Sequence, residues 1–111
     1  MSDTDNQEKK EGRPPLPPVS FEFLTRSLNL QVEMQLGLIR TSPDEEPEID
    51  LELARHTIDL MAMLLEKTKG NLTLEEHRLL ENSLTMLRFR FVQAAEAVQK
   101  TASGQAAGQP A

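Results

Sequence analysis

Residues 64–73, LLEKTKGNLT, decide the fold because they hold the end of one helix and the beginning of the next. Lysines near a helix C-terminus suit the negative end of its dipole, and Gly70 can adopt the left-handed conformation that stops a helix. Thr73 is followed three residues later by Glu76, which is the spacing of a capping box at a helix N-terminus. The segment therefore predicts the tight turn of an antiparallel helical hairpin.

The two arms of this hairpin show the apolar spacing of helices. Upstream, a helix over about 50–69 begins at Asp50 as N-cap; downstream, a helix runs over about 73–100. At 1.5 Å per residue these are about 30 and 40 Å long, so the end of the longer helix must extend past the shorter one. Their apolar stripes are Leu51, Ala54, Ile58, Met61, Ala62 and Leu65 in the first and Leu80, Leu84, Leu87, Phe91, Ala94, Ala95 and Val98 in the second.

A further helix is predicted over about 20–40, before the hairpin. Ser20 is a good N-cap, and Val19 can pack on Leu24 as a hydrophobic staple. Small residues at 27 and 37 would allow another helix to approach closely. The main stripe is Phe21, Leu24, Leu28, Val32, Leu36 and Ile39, and a second apolar line is Phe23, Leu30, Met34 and Leu38.

The remaining segments are predicted not to be helical. Residues 41–49, TSPDEEPEI, contain two prolines and four acidic residues and form a loop. Residues 1–18 are a charged, proline-rich arm and residues 101–111 a small, polar tail; both are expected to be disordered. The sequence thus predicts an all-α protein with a single helical domain over 19–100.

Composition narrows the classes of function. The absence of cysteine excludes disulfides and thiolate chemistry, and 12 Lys and Arg against 18 Asp and Glu give a net charge of −6. That charge opposes binding to nucleic acid and to anionic lipid. Neither the apolar core of a signal peptide nor an apolar run of about 18 residues is present, so we expect a cytoplasmic protein without a membrane partner.

Candidate groups for catalysis or metal binding are few. His56 and His77 fall near the starts of the two antiparallel hairpin helices, and hence at opposite ends. His77 with Glu76, Glu81 and Glu75 could present a carboxylate and imidazole cluster, although solvated side chains in a first helical turn explain these residues better. Phosphate-binding glycine loops, dinucleotide fingerprints and nucleophile elbows are absent. We expect neither enzymatic activity nor a cofactor.

Several stretches carry a family resemblance. They are Ile58-Asp59-Leu60, the turn segment 64–73, Glu75-Glu76, Leu79-Leu80-Glu81, Leu87-Arg88 and, upstream, Ser27-Leu28 and Leu36-Gly37. On these residues the segment 21–92 resembles a bacterial family of small acidic helical proteins, the domain of unknown function 1844. The resemblance implies a shared fold and brings no activity, cofactor or catalytic residues with it.

The apolar faces exceed what three short helices can bury in a monomer. The leading hypothesis is therefore a non-catalytic interaction module that binds itself as a homo-oligomer, with a second, unidentified protein as the other possible partner. A ligand-binding or divalent-metal-binding bundle, using the acidic loop and His77, is the alternative, and an enzyme comes third. The predicted association surface consists of Phe23, Met34, Gly37, Leu38, Phe89, Phe91 and Val98.

Overall fold

A computed structural model describes residues 12–40 and 42–108, with side chains as far as residue 101. Within these ranges the chain forms three helices and no strand: α1 (Phe21–Gln35), α2 (Leu51–Lys67) and α3 (Leu74–Gly108). The predicted all-α fold is confirmed. Residues 1–11 of the predicted N-terminal arm and the last three residues of the predicted C-terminal tail lie outside the described residues, and for them disorder stays a prediction.

The predicted caps of α1 and α2 are formed. Ser20 Oγ accepts a hydrogen bond of 3.0 Å from the backbone N–H of Phe23, and Asp50 Oδ1 accepts one of 3.0 Å from Leu53. Each cap satisfies a backbone donor that the first turn of a helix leaves unpaired. Both helices therefore begin within one residue of the predicted start.

The predicted hydrophobic staple before α1 is wrong. Val19 is fully exposed, at 103% of its reference area, and so does not pack on Leu24. Ser20 has the extended backbone that is usual for an N-cap, with φ −154° and ψ 158°. The N-cap hydrogen bond thus fixes the start of α1 without an apolar contact.

The turn between α2 and α3 contains the predicted capping box. The N–H of Thr73 donates to Glu76 Oε1 at 2.8 Å, and the N–H of Glu76 donates back to Thr73 Oγ1 at 3.1 Å. The N–H of Asn71 donates to the Thr68 carbonyl at 2.9 Å across Gly70, whose φ is +82°. This turn reverses the chain and confirms the helical hairpin.

Helix α1 ends five residues before its predicted end, at a glycine cap. The N–H of Gly37 donates to the Met34 carbonyl at 3.0 Å, and that of Leu38 donates to the Glu33 carbonyl at 2.9 Å. This pair of bonds is a Schellman motif, which requires a left-handed residue, and Gly37 has φ +74°. Gly37 is therefore the stop signal of α1 and not a small residue within the helix.

Helix α3 continues eight residues past its predicted end at 100, into the predicted tail. No proline follows Lys100 before Pro110, and Gly104 does not stop the helix. Once a helix exists, each further residue adds one hydrogen bond, and a glycine within it costs only about 1 kcal/mol. The backbone therefore remains helical to Gly108.

The three helices run up, down and up around one core. The N–H of Asp50 donates to the Gln35 carbonyl at 2.8 Å, which holds the end of α1 beside the start of α2. At the opposite end, Ser20 and Arg26 of the α1 region line a cleft together with Thr73 and Leu79. Hence α1 runs parallel to α3 and antiparallel to α2. The buried apolar core is Val32, Leu36, Ala54, Ile58, Met61, Leu80, Leu84 and Leu87.

Two threonines are buried in this core with different hydrogen bonding. Thr57 is 1% exposed, and its hydroxyl donates to the Leu53 carbonyl at 3.1 Å. Thr25 is 0% exposed, and its hydroxyl has no partner among the residues that the structure describes. Because burial of an unpaired hydroxyl is unfavourable, valine at position 25 removes a cost while keeping the shape of the side chain.

We therefore expect Thr25→Val to raise the free energy of unfolding by about 1 kcal/mol. Thr57→Val is the matched control, since it removes a hydroxyl that is already bonded, and it should give a smaller gain or a loss. Urea unfolding followed by circular dichroism measures both. A Thr25→Val protein that is less stable than the Thr57→Val protein would contradict this assignment.

Candidate functional site: an uncovered apolar face

Helix α1 is apolar on two opposite faces. Its inner face contains the buried Thr25 and Val32. Two residues that are two positions apart on a helix point about 200° away from each other. A residue two positions from an inner-face residue therefore points outward. The residues at these outward positions follow one another at spacings of four, three and four, and we call them the outer stripe: Phe23, Ser27, Leu30 and Met34.

The apolar members of the outer stripe are open to solvent. Phe23 is 46% exposed, Leu30 48% and Met34 40%. The hydroxyl of Ser27 donates to the Phe23 carbonyl at 2.8 Å, so it offers no unpaired donor. The stripe is thus an apolar surface about 16 Å long, since its first and last residues are 11 positions apart on the helix.

The charged residues of α1 are gathered on one flank of the outer stripe. Arg26 Nε lies 3.0 Å from Glu22 Oε1, and Asn29 Nδ2 donates to Glu33 Oε1 at 3.0 Å. Both pairs have the i, i+4 spacing at which side chains meet along a helix surface. They leave the outer stripe itself without charge, which is unusual for a solvated helix face.

The C-terminal end of α1 adds a second open region. Leu38, directly after the glycine cap, is 46% exposed. An open cleft of about 600 Å³ is lined by Met34, Ile39 and the segment 45–48 of the acidic loop. Gly37 is partly exposed, and the side on which a Cβ atom would stand is occupied by its own chain, since that atom would lie 2.9 Å from Ile49 Cγ1.

The predicted association residues of α3 lie in three different settings. Phe91 is partly buried and packs against the core cluster, so only part of its side chain is open to a partner. Phe89, two positions away, is 60% exposed on the outer side of the helix. Val98, at 41% exposed, lies beyond Ala94, the last residue of α3 that packs against the core. The part of α3 that extends past the bundle thus presents one large apolar side chain.

The predicted surface omitted Ser27 and Leu30, which complete the outer stripe between Phe23 and Met34. The signal for them was present in the spacing, because Leu30 belongs to the second apolar line of α1. Two further exposed leucines, Leu53 at 44% and Leu60 at 42%, lie seven residues apart on α2. Of the seven predicted residues, the structure brings Phe23 and Met34 onto one face.

His77 and the acidic loop do not form a shared site. His77 Nε2 lies 3.4 Å from Glu81 Oε2 in the first turns of α3. The acidic loop precedes α2 and therefore lies at the other end of that helix, about 25 Å away. Within the ranges 12–40 and 42–108, no group of three or more His, Asp or Glu side chains is placed to hold a metal ion.

These features define a small three-helix bundle whose first helix keeps one apolar face uncovered. The chain belongs to the family described as "Domain of unknown function (DUF1844)", whose model matches residues 18–93. The match covers α1, α2 and the part of α3 up to Gln93. It therefore ends one residue before Ala94, the last residue of α3 that packs against the core. The resemblance noted in the sequence is thereby confirmed.

No curated protein and no solved structure matches the chain. Among the described residues, none of the three helices combines the length and the apolar character needed to cross a membrane.

Proposed function

We propose that this protein is a non-catalytic helical assembly module that associates with further copies of itself through the outer stripe of α1. The observation that carries the proposal is that α1 is apolar on both faces while the bundle covers only the inner one. A contiguous apolar surface with a polar flank is typical of an interaction site.

The energies involved favour association. A fully buried Phe, Leu or Met side chain contributes about 1.5–3 kcal/mol, so burying the exposed half of three of them yields about 2–5 kcal/mol per copy before the cost of association. A core of this size supplies only about 3–5 kcal/mol by itself. Covering the outer stripe would therefore add substantially to the stability of the folded chain.

The charge of the protein favours a protein partner. A net charge of −6 opposes contact with nucleic acid and anionic lipid surfaces, whereas the uncharged outer stripe can meet another apolar surface without burying an unpaired charge. We place this activity in the cytoplasm, with no cofactor. A different protein seated on the same face is the competing possibility.

Leu30→Asp tests the proposal, because it places a charge at the middle of the outer stripe. We expect the dissociation constant of self-association to rise at least about 30-fold, the effect of losing about 2 kcal/mol at the centre of an interface. Gln31→Asp is the matched control: it introduces the same side chain at the adjacent exposed position, off the stripe, and should change the constant less than about threefold.

Sedimentation equilibrium measures both constants, and circular dichroism verifies that the two variants remain helical. Phe91→Asp would be a poor test, since it would place a charge against the core. If the Leu30→Asp protein is helical and associates as tightly as the Gln31→Asp protein, the outer stripe is not the interface.

A further inference from the structure

We infer that the second copy docks on α1 in an antiparallel orientation, with a two-fold axis that crosses the helix pair between the levels of Ser27 and Leu30. This inference rests on the proposed self-association and adds its geometry. It is carried by two independent features of α1, the order of large and small side chains along the outer stripe and the order of charges along its flank.

The outer stripe is complementary to its own reverse. In an antiparallel pair with this axis, two residues face each other across the interface when their numbers sum to 57. Phe23 then faces Met34 of the other copy, and Ser27 faces Leu30. Each leucine meets the small residue of the other helix, and neither contact brings two large side chains to the centre. Such alternation of large and small residues is what lets two helices interdigitate.

The flank is complementary in the same register. Arg26 lies at the level of residue 31 of the other copy, and Glu33 of that copy is two positions further along the same flank. The two-fold axis repeats this pairing of opposite charges between Glu33 of the first copy and Arg26 of the second. Both side chains are on the polar flank and reach beyond the stripe. Opposite charges at the rim of an interface set its orientation more than its strength.

A parallel arrangement of the same two faces is unfavourable. It would bring the charged flank of each copy beside the opposite, uncharged edge of the other helix, so neither Arg26 nor Glu33 would gain a partner of opposite charge there. It would also put Ser27 against Ser27, which leaves a gap at the centre. Charge and shape therefore both select the antiparallel pair, in which the same patch serves both copies, as two-fold dimers require.

The occupant of this face is a second copy because the face satisfies the requirements of an isologous contact without another chain. A single 15-residue helix per copy is also a small interface, at the low end of stable assemblies, so we expect a dissociation constant on the order of 1–100 μM. The experiment must therefore use the full chain at concentrations above this range.

Single-cysteine variants test the geometry, since the natural chain contains no cysteine. Across the proposed axis, the two copies of position 27 lie about 4.5 Å apart along the helix, whereas the two copies of position 23 lie about 16 Å apart. A disulfide requires Cα atoms within about 7 Å. Under mild oxidation, Ser27→Cys should form covalent dimers. Phe23→Cys and Met34→Cys should form them only when the two variants are mixed.

Glu75→Cys, on an exposed position of α3, gives the background of random collisions. Crosslinking of Ser27→Cys and of the mixture well above this background, with Phe23→Cys and Met34→Cys at background when alone, supports the inference. Efficient crosslinking of Phe23→Cys alone indicates a parallel pair. Background crosslinking throughout, in a chain that still sediments as an oligomer, indicates a different face. Both of these results overturn the geometry and leave self-association intact, whereas a monomeric natural chain removes both.

Discussion

Replacing Leu84 by alanine is expected to lower the free energy of unfolding by about 3 kcal/mol. Leu84 is 2% exposed and lies between Leu80 and Leu87 on the inner face of α3. The substitution removes buried methyl groups and leaves a cavity that three short helices can only partly close. In a domain with so small a core, this loss is a large share of the total stability.

Met86→Ala is the matched control for Leu84→Ala. Met86 is two positions away on the same helix and is 52% exposed, so we expect a loss of less than about 1 kcal/mol. Urea unfolding of both proteins, followed by the circular dichroism of the helices, gives the two free energies. Equal losses would mean that the inner and outer faces of α3 are assigned incorrectly.

Gly37→Ala is expected to lower the free energy of unfolding by about 2–3 kcal/mol. About 1–2 kcal/mol of this comes from a side chain at φ +74°, because Cβ then approaches the following carbonyl. The rest comes from crowding, since the added Cβ would lie 2.9 Å from Ile49 Cγ1. Either Ile49 moves or the Schellman cap of α1 opens.

Gly70→Ala separates these two causes. Gly70 has φ +82°, yet nothing lies within 4 Å of a Cβ added there, so only the conformational cost remains, about 1–2 kcal/mol. Thermal and urea unfolding of the two variants should therefore show a larger loss at position 37. If Gly70→Ala is the more destabilised protein, Ile49 does not restrict Gly37, and the packing of the loop on the end of α1 would have to be revised.

The parts of the fold that local chemistry controls could be predicted from the sequence. The capping box of Thr73 and Glu76 and the caps at Ser20 and Asp50 depend on side chains that bond to backbone groups three residues away. The end of α1 was harder to predict. A small residue at position 37 is compatible with a continuing helix as well as with a stop, and the packing of Ile49 from the loop beside Gly37 is a long-range contact that the sequence does not reveal.

The candidate site was only partly predictable for a related reason. Because α1 has two apolar stripes, periodicity alone does not determine which one turns inward. The structure buries Thr25 and leaves Leu24 43% exposed, whereas the sequence favoured Leu24 for the main stripe. The choice depends on the shapes of α2 and α3, including Ala54, which is 0% exposed and small enough to let another helix approach closely.

Self-association of this kind would link folding to concentration. A partner that binds only the folded chain stabilises it in proportion to the logarithm of its concentration, so a weak dimer is both less assembled and less stable when dilute. Burial of the outer stripe in the dimer would then supply stability that the small core of a single chain lacks. On α3, Phe89 and Val92 are also exposed, at 60% and 52%, and lie on the outer side of that helix.

The most direct measurement is the solution mass of the full natural chain by light scattering, from about 1 μM to about 1 mM, a range that brackets the expected dissociation constant. Self-association through α1 predicts a mass that rises from that of one chain, 12.5 kDa, toward twice that value as the concentration increases. A folded chain that stays at 12.5 kDa throughout would contradict it.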